Sequence, residues 1–250
     1  MGCLTRDRLT NRLSSLSSSA RFDSSSLTEP LTDSLLLATV QRYSYAPAQA
    51  GRRYLLSMPF YVHAQDRPRF ATELLDLAEA HWSYMDRFAD RLILRGPTLS
   101  DDGTEHTGSV HVVNLADRAS AERFATEEPY WLAGLYRQVT TVRTVVLLHR
   151  EPTEGSLTSG VPNALITGQW PPEPRNASDT DLQLLGVNPD SRLSFVAVLV
   201  DDNQSHTTGI VSIVRALPGE ALRIIQPFAD QLTGEPVALT AQRWRRGGRS

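Results

Sequence analysis

Apolar and polar positions along this chain change period in a set order, and the order is run through twice. Tyr54–Val62 (YLLSMPFYV) is an apolar, aromatic strand candidate, with Pro59 favouring an edge or a bulge near its end. Asp66 then offers an N-cap and Pro68 an early helical position. Phe70, Leu74, Leu77, Ala78, Trp82, Met85 and Phe88 follow at helical spacing, which predicts one helix reaching about Phe88. Arg91–Val113 predicts two strands around the turn Asp101-Asp102-Gly103. Ser120 caps a second helix through Ala121, Phe124 and Ala125 that Pro129 stops, and Val139–Leu148 is a β-branched strand. The order is β-α-β-β-α-β, the split βαβ or ferredoxin-like arrangement.

The hairpin returns a hundred residues on. Arg91–Val113 reads RLILRGPTLSDDGTEHTGSVHVV, and Arg192–Val214 reads RLSFVAVLVDDNQSHTTGIVSIV. The match needs one residue deleted before the acidic pair and one inserted before the glycine. Around the second hairpin lie a strand at Ala164–Trp170, a proline break, and a short helix at Thr180–Leu185. A helix at Gly219–Leu232 with a kink at Pro227 and a last strand at Pro236–Trp244 complete the copy. The division is then a Ser- and Arg-rich extension over 1–50, disordered or partly helical (Leu31–Tyr45); a first domain over 51–150; a linker over 151–160; a degenerate copy over 161–245; and a frayed tail over 246–250.

A four-stranded antiparallel sheet with both helices on one face leaves its other face apolar and uncovered. A tandem copy supplies a second such face in the same chain at high effective concentration. The expected fold class is therefore α+β: two tandem ferredoxin-like units packed as a pseudo-dimeric α/β barrel, with a cleft between sheet and helices. Such a pseudo-dimer can replace a homodimer or dimerise again.

Bulk composition narrows the function classes. The formal net charge is −3, which gives no field to attract nucleic acid or an acidic membrane. All 25 basic residues are arginine, as a GC-rich bacterial genome would give. The one cysteine, Cys3, excludes a disulfide framework and a thiolate metal cage. No apolar run approaches the ~18 residues of a spanning helix, and Arg6 breaks the myristoylation pattern that Met1-Gly2 opens. The Arg and Ser bias of the start resembles a transit peptide, but Asp7 and Asp23 count against that. The expected location is cytoplasmic. There is no GxGxxG after a strand, no P-loop and no His-Glu-x-x-His spacing, so no cofactor and no metal are expected, and the expected partner is a small molecule.

His81 is the sharpest candidate for chemistry. It lies seven residues after Leu74 and four before Met85, on the helical stripe that faces the sheet. A polar ring there is either a core histidine satisfied by one hydrogen bond or a proton-transfer group. Asp101 and Asp102 are candidates for its carboxylate partner, although Asp-Asp-Gly is also ordinary turn chemistry and recurs as Asp201-Asp202. The repeated His106 and His206 read as structural loop residues. Gly96 and Gly108 allow close backbone approach at the cleft rim. Ser109 and Tyr130 can hydrogen-bond a polar substrate, and Trp82 and Trp131 read as core.

The first domain resembles the YCII (YciI-like) family of dimeric α/β barrels. The matching pieces are Arg67-Pro68, the helical His81, Arg91-Leu92-Ile93-Leu94-Arg95-Gly96-Pro97, Asp101-Asp102-Gly103, Gly108-Ser109, and Glu128-Pro129-Tyr130 followed by Ala133-Gly134-Leu135. They cover about residues 53–150. The resemblance implies a cleft in which the helical His81 pairs with a carboxylate, with Gly96, Pro97, Gly108, Ser109, Glu128 and Tyr130 at the substrate. It also implies small-molecule chemistry, since relatives include an enzyme that removes chloride from a chlorinated hydroquinone. Many members have no assigned activity, so a non-catalytic binding or accessory role is the alternative. One departure stands out: relatives usually carry Asp-Pro-Tyr where this chain has Glu128-Pro129-Tyr130.

Overall fold

The first expected strand runs on past Val62 to Asp66, so Pro59 does not lie near its end. The fold is that of a computed structural model, which describes residues 59–68, 70–151, 160–174 and 189–248. The N-terminal extension, residues 54–58 of the first expected strand, most of the 151–160 linker and the Thr180–Leu185 helix lie outside the described residues.

Strand β1 is Pro59–Asp66, so Asp66 ends a strand and does not cap a helix. The expected long helix is two: α1, Ala71–Asp76, and α2, Ala78–Asp86, parted at Leu77 (φ −96°, ψ 1°). The hydrogen bonds Leu77 N–H to Glu73 O and His81 N–H to Leu77 O run across the break and hold α2 to α1. Next come β2 (Leu92–Leu99) and β3 (His106–Asn114). Helix α3 spans Arg118–Thr126. Its cap is Asp117, whose carboxylate accepts from Ser120 N–H, so Ser120 lies inside the helix rather than before it. Pro129 starts a short helix of its own, α4 (Pro129–Leu132), in the N1 position where its missing N–H costs nothing. Strand β4 is Tyr136–His149.

The second copy gives β5 (Asn163–Pro174), β6 (Leu193–Val200), β7 (His206–Val214), helix α5 (Pro218–Thr233) and β8 (Leu239–Trp244). Helix α5 runs through Pro227 and ends on Gly234 in the left-handed region (φ 74°).

All eight strands close one antiparallel barrel in the order β1-β3-β2-β8-β5-β7-β6-β4. Each copy contributes the ferredoxin-like order, fourth-first-third-second, and the two halves meet edge to edge. The sheets were expected to meet through their faces. In the barrel their edges are paired as well. One seam is broad, β4 against β6 from Arg143↔Val200 to His149↔Phe195; the other, β2 against β8, pairs only Thr98 with Trp244 and Leu99 with Arg243.

Strand alternation sorts side chains between the barrel interior and its helix-covered outside. Tyr61, Leu94, Val110 and Val112 meet Leu165, Phe195, Leu199, Val211, Ile213 and Trp244 in one buried interior cluster drawn from both copies. Outside, Phe60, Val62 and Val113 pack under Tyr84 and Met85 of α2 and Phe124 of α3. Ile166, Val196 and Ile210 pack under Ile225 and Phe228 of α5. The repeated glycine of the two hairpins has a repeated cause. A Cβ on Gly108 would lie 2.2 Å from Ala64 O, and one on Gly209 2.3 Å from Gly168 O.

Residues 245–248 lie along the first copy rather than loose. Arg245 N–H donates to Pro97 O and Gly247 N–H to Arg95 O, so this segment of the second copy lies along β2 of the first.

Candidate active site

Helix α2 is seated by Tyr84 and Met85, and the Tyr84 hydroxyl donates to Phe124 O at 3.1 Å. His81, one turn before Met85, is thereby held on the sheet-facing side with 12% of its side chain exposed. Glu128 approaches it from α4. Its Oε2 accepts from Trp131 N–H at 3.0 Å as an N-cap, and its Oε1 lies 2.5 Å from His81 Nδ1. An ionised carboxylate only accepts, so Nδ1–H donates and Nε2 keeps its lone pair when the ring is neutral. The Tyr130 ring stacks on the imidazole at 4.5 Å with planes 6° apart, and its hydroxyl donates to Leu74 O at 2.9 Å. The ring is thus fixed in tautomer, direction and tilt.

Two further imidazoles join it. His106 Nδ1 lies 2.6 Å from Asp66 Oδ2, and its ring meets Tyr130 edge-on at 6.5 Å. His111, 5% exposed, has its ring 6.0 Å from that of His81. Burial holds its pKa well below the usual histidine value, with the nearby charges of His81 and Arg95 acting in the same direction, so it is neutral near pH 7. Ser109 Oγ accepts from the Tyr136 hydroxyl at 3.0 Å, and burial pushes the phenols of Tyr130 and Tyr136 up.

His81, His106, Ser109, His111 and Tyr130 line a cavity of about 700 Å³ between helices and barrel. Leu74, Ala78, His81, Trp82 and Met85 form its helical wall. Arg95, Gly96, Pro97, His106, Ser109 and His111 form its sheet wall, and Arg245–Gly248 closes one side. Arg95 is 3.5 Å from Asp86. A second cavity, about 690 Å³, opens at one end of the barrel. Four of its arginines have named partners: Arg150 the carbonyls of Pro189, Asp190 and Leu193, Arg192 the carboxylates of Asp190 and Glu220, Arg243 the carbonyl of Asp101, and Arg246 the carboxylate of Glu151.

Among the residues singled out from sequence, Gly96, Pro97, Ser109 and Tyr130 line the cavity with His81. Gly108 lies beside it with its backbone against Ala64, and Glu128 stands behind His81. The carboxylate that meets His81 is Glu128, not Asp101 or Asp102. Asp102 is occupied by its own turn: it accepts from Ser100 Oγ, Thr104 N–H and Thr104 Oγ1, which brings its pKa down to about 2. Asp101 is exposed, and its carbonyl accepts from Arg243 Nε. The sequence reading missed Asp66, His106, His111 and the Arg245–Gly248 wall. One signal was available: Ser109 and His111, two residues apart, put polar groups on a single face of an otherwise apolar strand. Among the described residues no cluster of three or more His, Cys, Asp or Glu is arranged to hold a metal ion, and no helix is long and apolar enough to cross a membrane.

The family model for the YCII-related domain matches residues 58–144, the span that contains His81, His106, His111 and Glu128. Residues 58–144 are a YCII-related domain. No curated protein matches the chain significantly. Among solved structures, 5-chloro-2-hydroxyhydroquinone dehydrochlorinase from Burkholderia phenoliruptrix AC1100, in complex with 2,5-dihydroxybenzoquinone, is 22% identical. The likeness covers 40% of this chain and 99% of that one, with a TM-score of 0.33. A candidate monooxygenase from Lactobacillus acidophilus NCFM is 9% identical over 76% of this chain and 94% of its own, with a TM-score of 0.45. An anthrone oxidase-like protein is 10% identical over 78% and 94%, with a TM-score of 0.42. The YCII-related domain accounts for the first half of the barrel; β5–β8 supply the other half from the same chain.

Proposed function

We propose that this chain is an enzyme acting on a small polar cyclic or aromatic metabolite, with His81 as general acid–base in an elimination, isomerisation or cyclisation. The observation that carries the reading is the His81–Glu128 pair, its carboxylate buried and its imidazole on the wall of a 700 Å³ cavity. That volume falls in the ~300–1,000 Å³ range of small-molecule sites. A core histidine would be satisfied by one carbonyl. Here the ring is bonded to a carboxylate at Nδ1, stacked on Tyr130, and part of the cavity wall, an arrangement that suits a proton carrier. Leu74, Trp82, Met85 and Tyr130 offer apolar and aromatic surface to a ring, while Ser109, His106 and His111 offer hydrogen bonds.

The test is a panel of phenols, lactones and keto acids, screened for binding by NMR and then for turnover, with wild-type protein and His81→Ala. Loss of turnover by ~10²–10⁴-fold with binding retained is expected. A ligand that binds both proteins and is never turned over would make the cleft a binding pocket and end the enzymatic reading.

A further inference from the structure

The repeated His-Thr of the two hairpins sits in two different surroundings, and the difference falls at the cavity. In the second copy His206 is used up by its own turn: Nδ1 lies 2.9 Å from Asp201 Oδ2 and 2.8 Å from Ser205 Oγ. In the first copy the turn is closed without histidine, by Asp102 with Ser100 and Thr104. His106 instead reaches across to β1 and pairs with Asp66 at 2.6 Å. Asp66 is buried, with 7% of its side chain exposed, and its other oxygen, Oδ1, has no hydrogen-bond partner. A buried carboxylate left half-satisfied is costly for turn architecture. It suits a carboxylate whose work is to hold an imidazole.

From this we propose that His106, held by Asp66, is a second acid–base group of the same cleft, facing a substrate that His81 faces from the other side. The inference rests on the function proposed above and narrows it to proton transfer at two positions of one molecule. The two pairs are built alike. Each has Nδ1 on a buried carboxylate that stays off the cavity wall, an imidazole on that wall, and no protein partner for Nε2 among the described residues. Tyr130 meets both rings, stacked on His81 and edge-on to His106. The charged or titratable groups around His106 are Asp66 of β1, Tyr130 of α4, the adjacent Glu105, and Arg245 and Arg246 across the cavity.

The chemical class that two such groups serve is an enolisable cyclic ketone. Neutral His81 Nε2 takes a proton from the carbon beside the carbonyl, and the C–H electron pair becomes the new C=C bond. The carbonyl π pair takes a proton from Nε2–H of protonated His106, giving the enol O–H. His81 ends protonated and His106 neutral, and the reverse step restores both. No oxidant or reductant enters.

The test follows hydrogen–deuterium exchange at the acidic C–H of 2-tetralone in D₂O by NMR. The proteins compared are wild type, His81→Gln, His106→Gln, Asp66→Asn and, as a control outside the cavity, His206→Gln. The expected result is catalysed exchange with a bell-shaped pD profile, cut by ~10²-fold in His106→Gln with loss of one limb. His81→Gln should lose the other limb, and His206→Gln should match wild type. In labelled wild-type protein the His106 ring signals should also shift on saturation with 2-tetralone, a readout that needs no variant to fold. Exchange lost in His81→Gln but unchanged in rate and profile in His106→Gln, or His106 signals indifferent to 2-tetralone, would overturn the second pair while leaving the His81 reading intact. No catalysed exchange by wild type would overturn the ketone assignment and this inference together, and the wider panel would decide the His81 reading by itself.

Discussion

Glu128 serves two partners with its two oxygens: Oε1 meets His81 Nδ1 at 2.5 Å while Oε2 caps α4 through Trp131 N–H at 3.0 Å. The carboxylate is 3% exposed, so solvent cannot substitute for either partner. Cap and imidazole are therefore coupled through one side chain, and its length decides whether both can be reached. This is the physical content of a glutamate, rather than a shorter aspartate, at this position.

Replacing Glu128 separates the two duties. In Glu128→Asp the shorter side chain can still cap α4, since aspartate is among the best N-caps, but it falls short of His81. We expect stability within ~1 kcal/mol of wild type and activity reduced by ~10-fold or more as the ring loses its fixed orientation. Glu128→Gln keeps the reach but has one acceptor oxygen for two donors, so accepting from Nδ1–H costs it the Trp131 cap; it should lose less activity than Glu128→Asp and more stability. Melting curves beside initial rates on the first panel compound turned over check both. A Glu128→Asp protein with wild-type rates would remove the carboxylate from any positioning role.

The glycines that repeat, Gly108 and Gly209, should each be irreplaceable by alanine. A Cβ would meet backbone oxygen at 2.2 and 2.3 Å, and backbone cannot move aside as a flexible side chain does. Strand separation must grow locally, at a cost typical of overpacked sites, ~1–3 kcal/mol. Either single alanine variant should lower the urea midpoint at an unchanged slope. An unchanged midpoint would mean that the strand crossing is looser than these distances.

What could be read from sequence was what one local segment decides. The repeated hairpin, the helical stripe through Leu74, Ala78 and Met85, and the strand at Val139–Leu148 each carry their own periodicity, and all are present. What could not be read were choices settled by a distant partner. Asp66 has the composition of a helix cap, but β1 pairs with β3 through Gln65 and with β4 through Asp66, and His106 claims the carboxylate. Asp101-Asp102 reads from sequence either as a partner for His81 or as ordinary turn chemistry, and the hydroxyls of Ser100 and Thr104 draw Asp102 into the turn. Arg245–Gly248 has the composition of a loose end, and only the narrow β2–β8 seam lays it along Arg95–Pro97. His81 itself was legible because helical spacing alone puts it on the buried stripe.

Mild acid should weaken the fold before the carboxylates titrate. Burial lowers the His63 pKa to about 4 and holds that of His111 well below the usual value, whereas the unfolded chain binds protons near pH 6.5. Between pH 6.5 and 4 the unfolded state therefore takes up protons that the native state refuses, and stability falls as pH drops. The slope is about 1.4 kcal/mol per pH unit for each linked proton, and above pH 7 these two groups contribute no slope. Asp102, Asp190 and Asp201, with pKa values near 2 set by hydrogen bonds, add their loss only below about pH 4. Urea unfolding of wild type and His111→Leu at pH 7.5, 6 and 4.5 tests this. The variant should show the shallower dependence, and parallel curves would mean that His111 accepts a proton in the folded state.

The C-terminal segment should matter to the ligand more than to the barrel. Residues 245–248 contribute two backbone hydrogen bonds to β2 and one wall of the cavity, but the interior cluster ends at Trp244. A chain stopped after Trp244 keeps the β5–β8 pairing and the Thr98↔Trp244 register, so its fold should survive with a loss of ~1–3 kcal/mol, about that of two backbone hydrogen bonds. The same deletion removes Arg245 and Arg246 from the cavity and exposes Gly96 and Pro97, which that segment covers. Ligands carrying a carboxylate should therefore lose affinity more than neutral phenols of the same size, because the Arg245 side chain leaves with the wall, while that of Arg246 is held by Glu151. Titrating matched neutral and anionic ligands against full-length and shortened proteins gives the comparison directly. Equal losses for both would make the segment a steric lid with no part in charge selection, and no loss would place the ligand deeper, against His111 and Ser109.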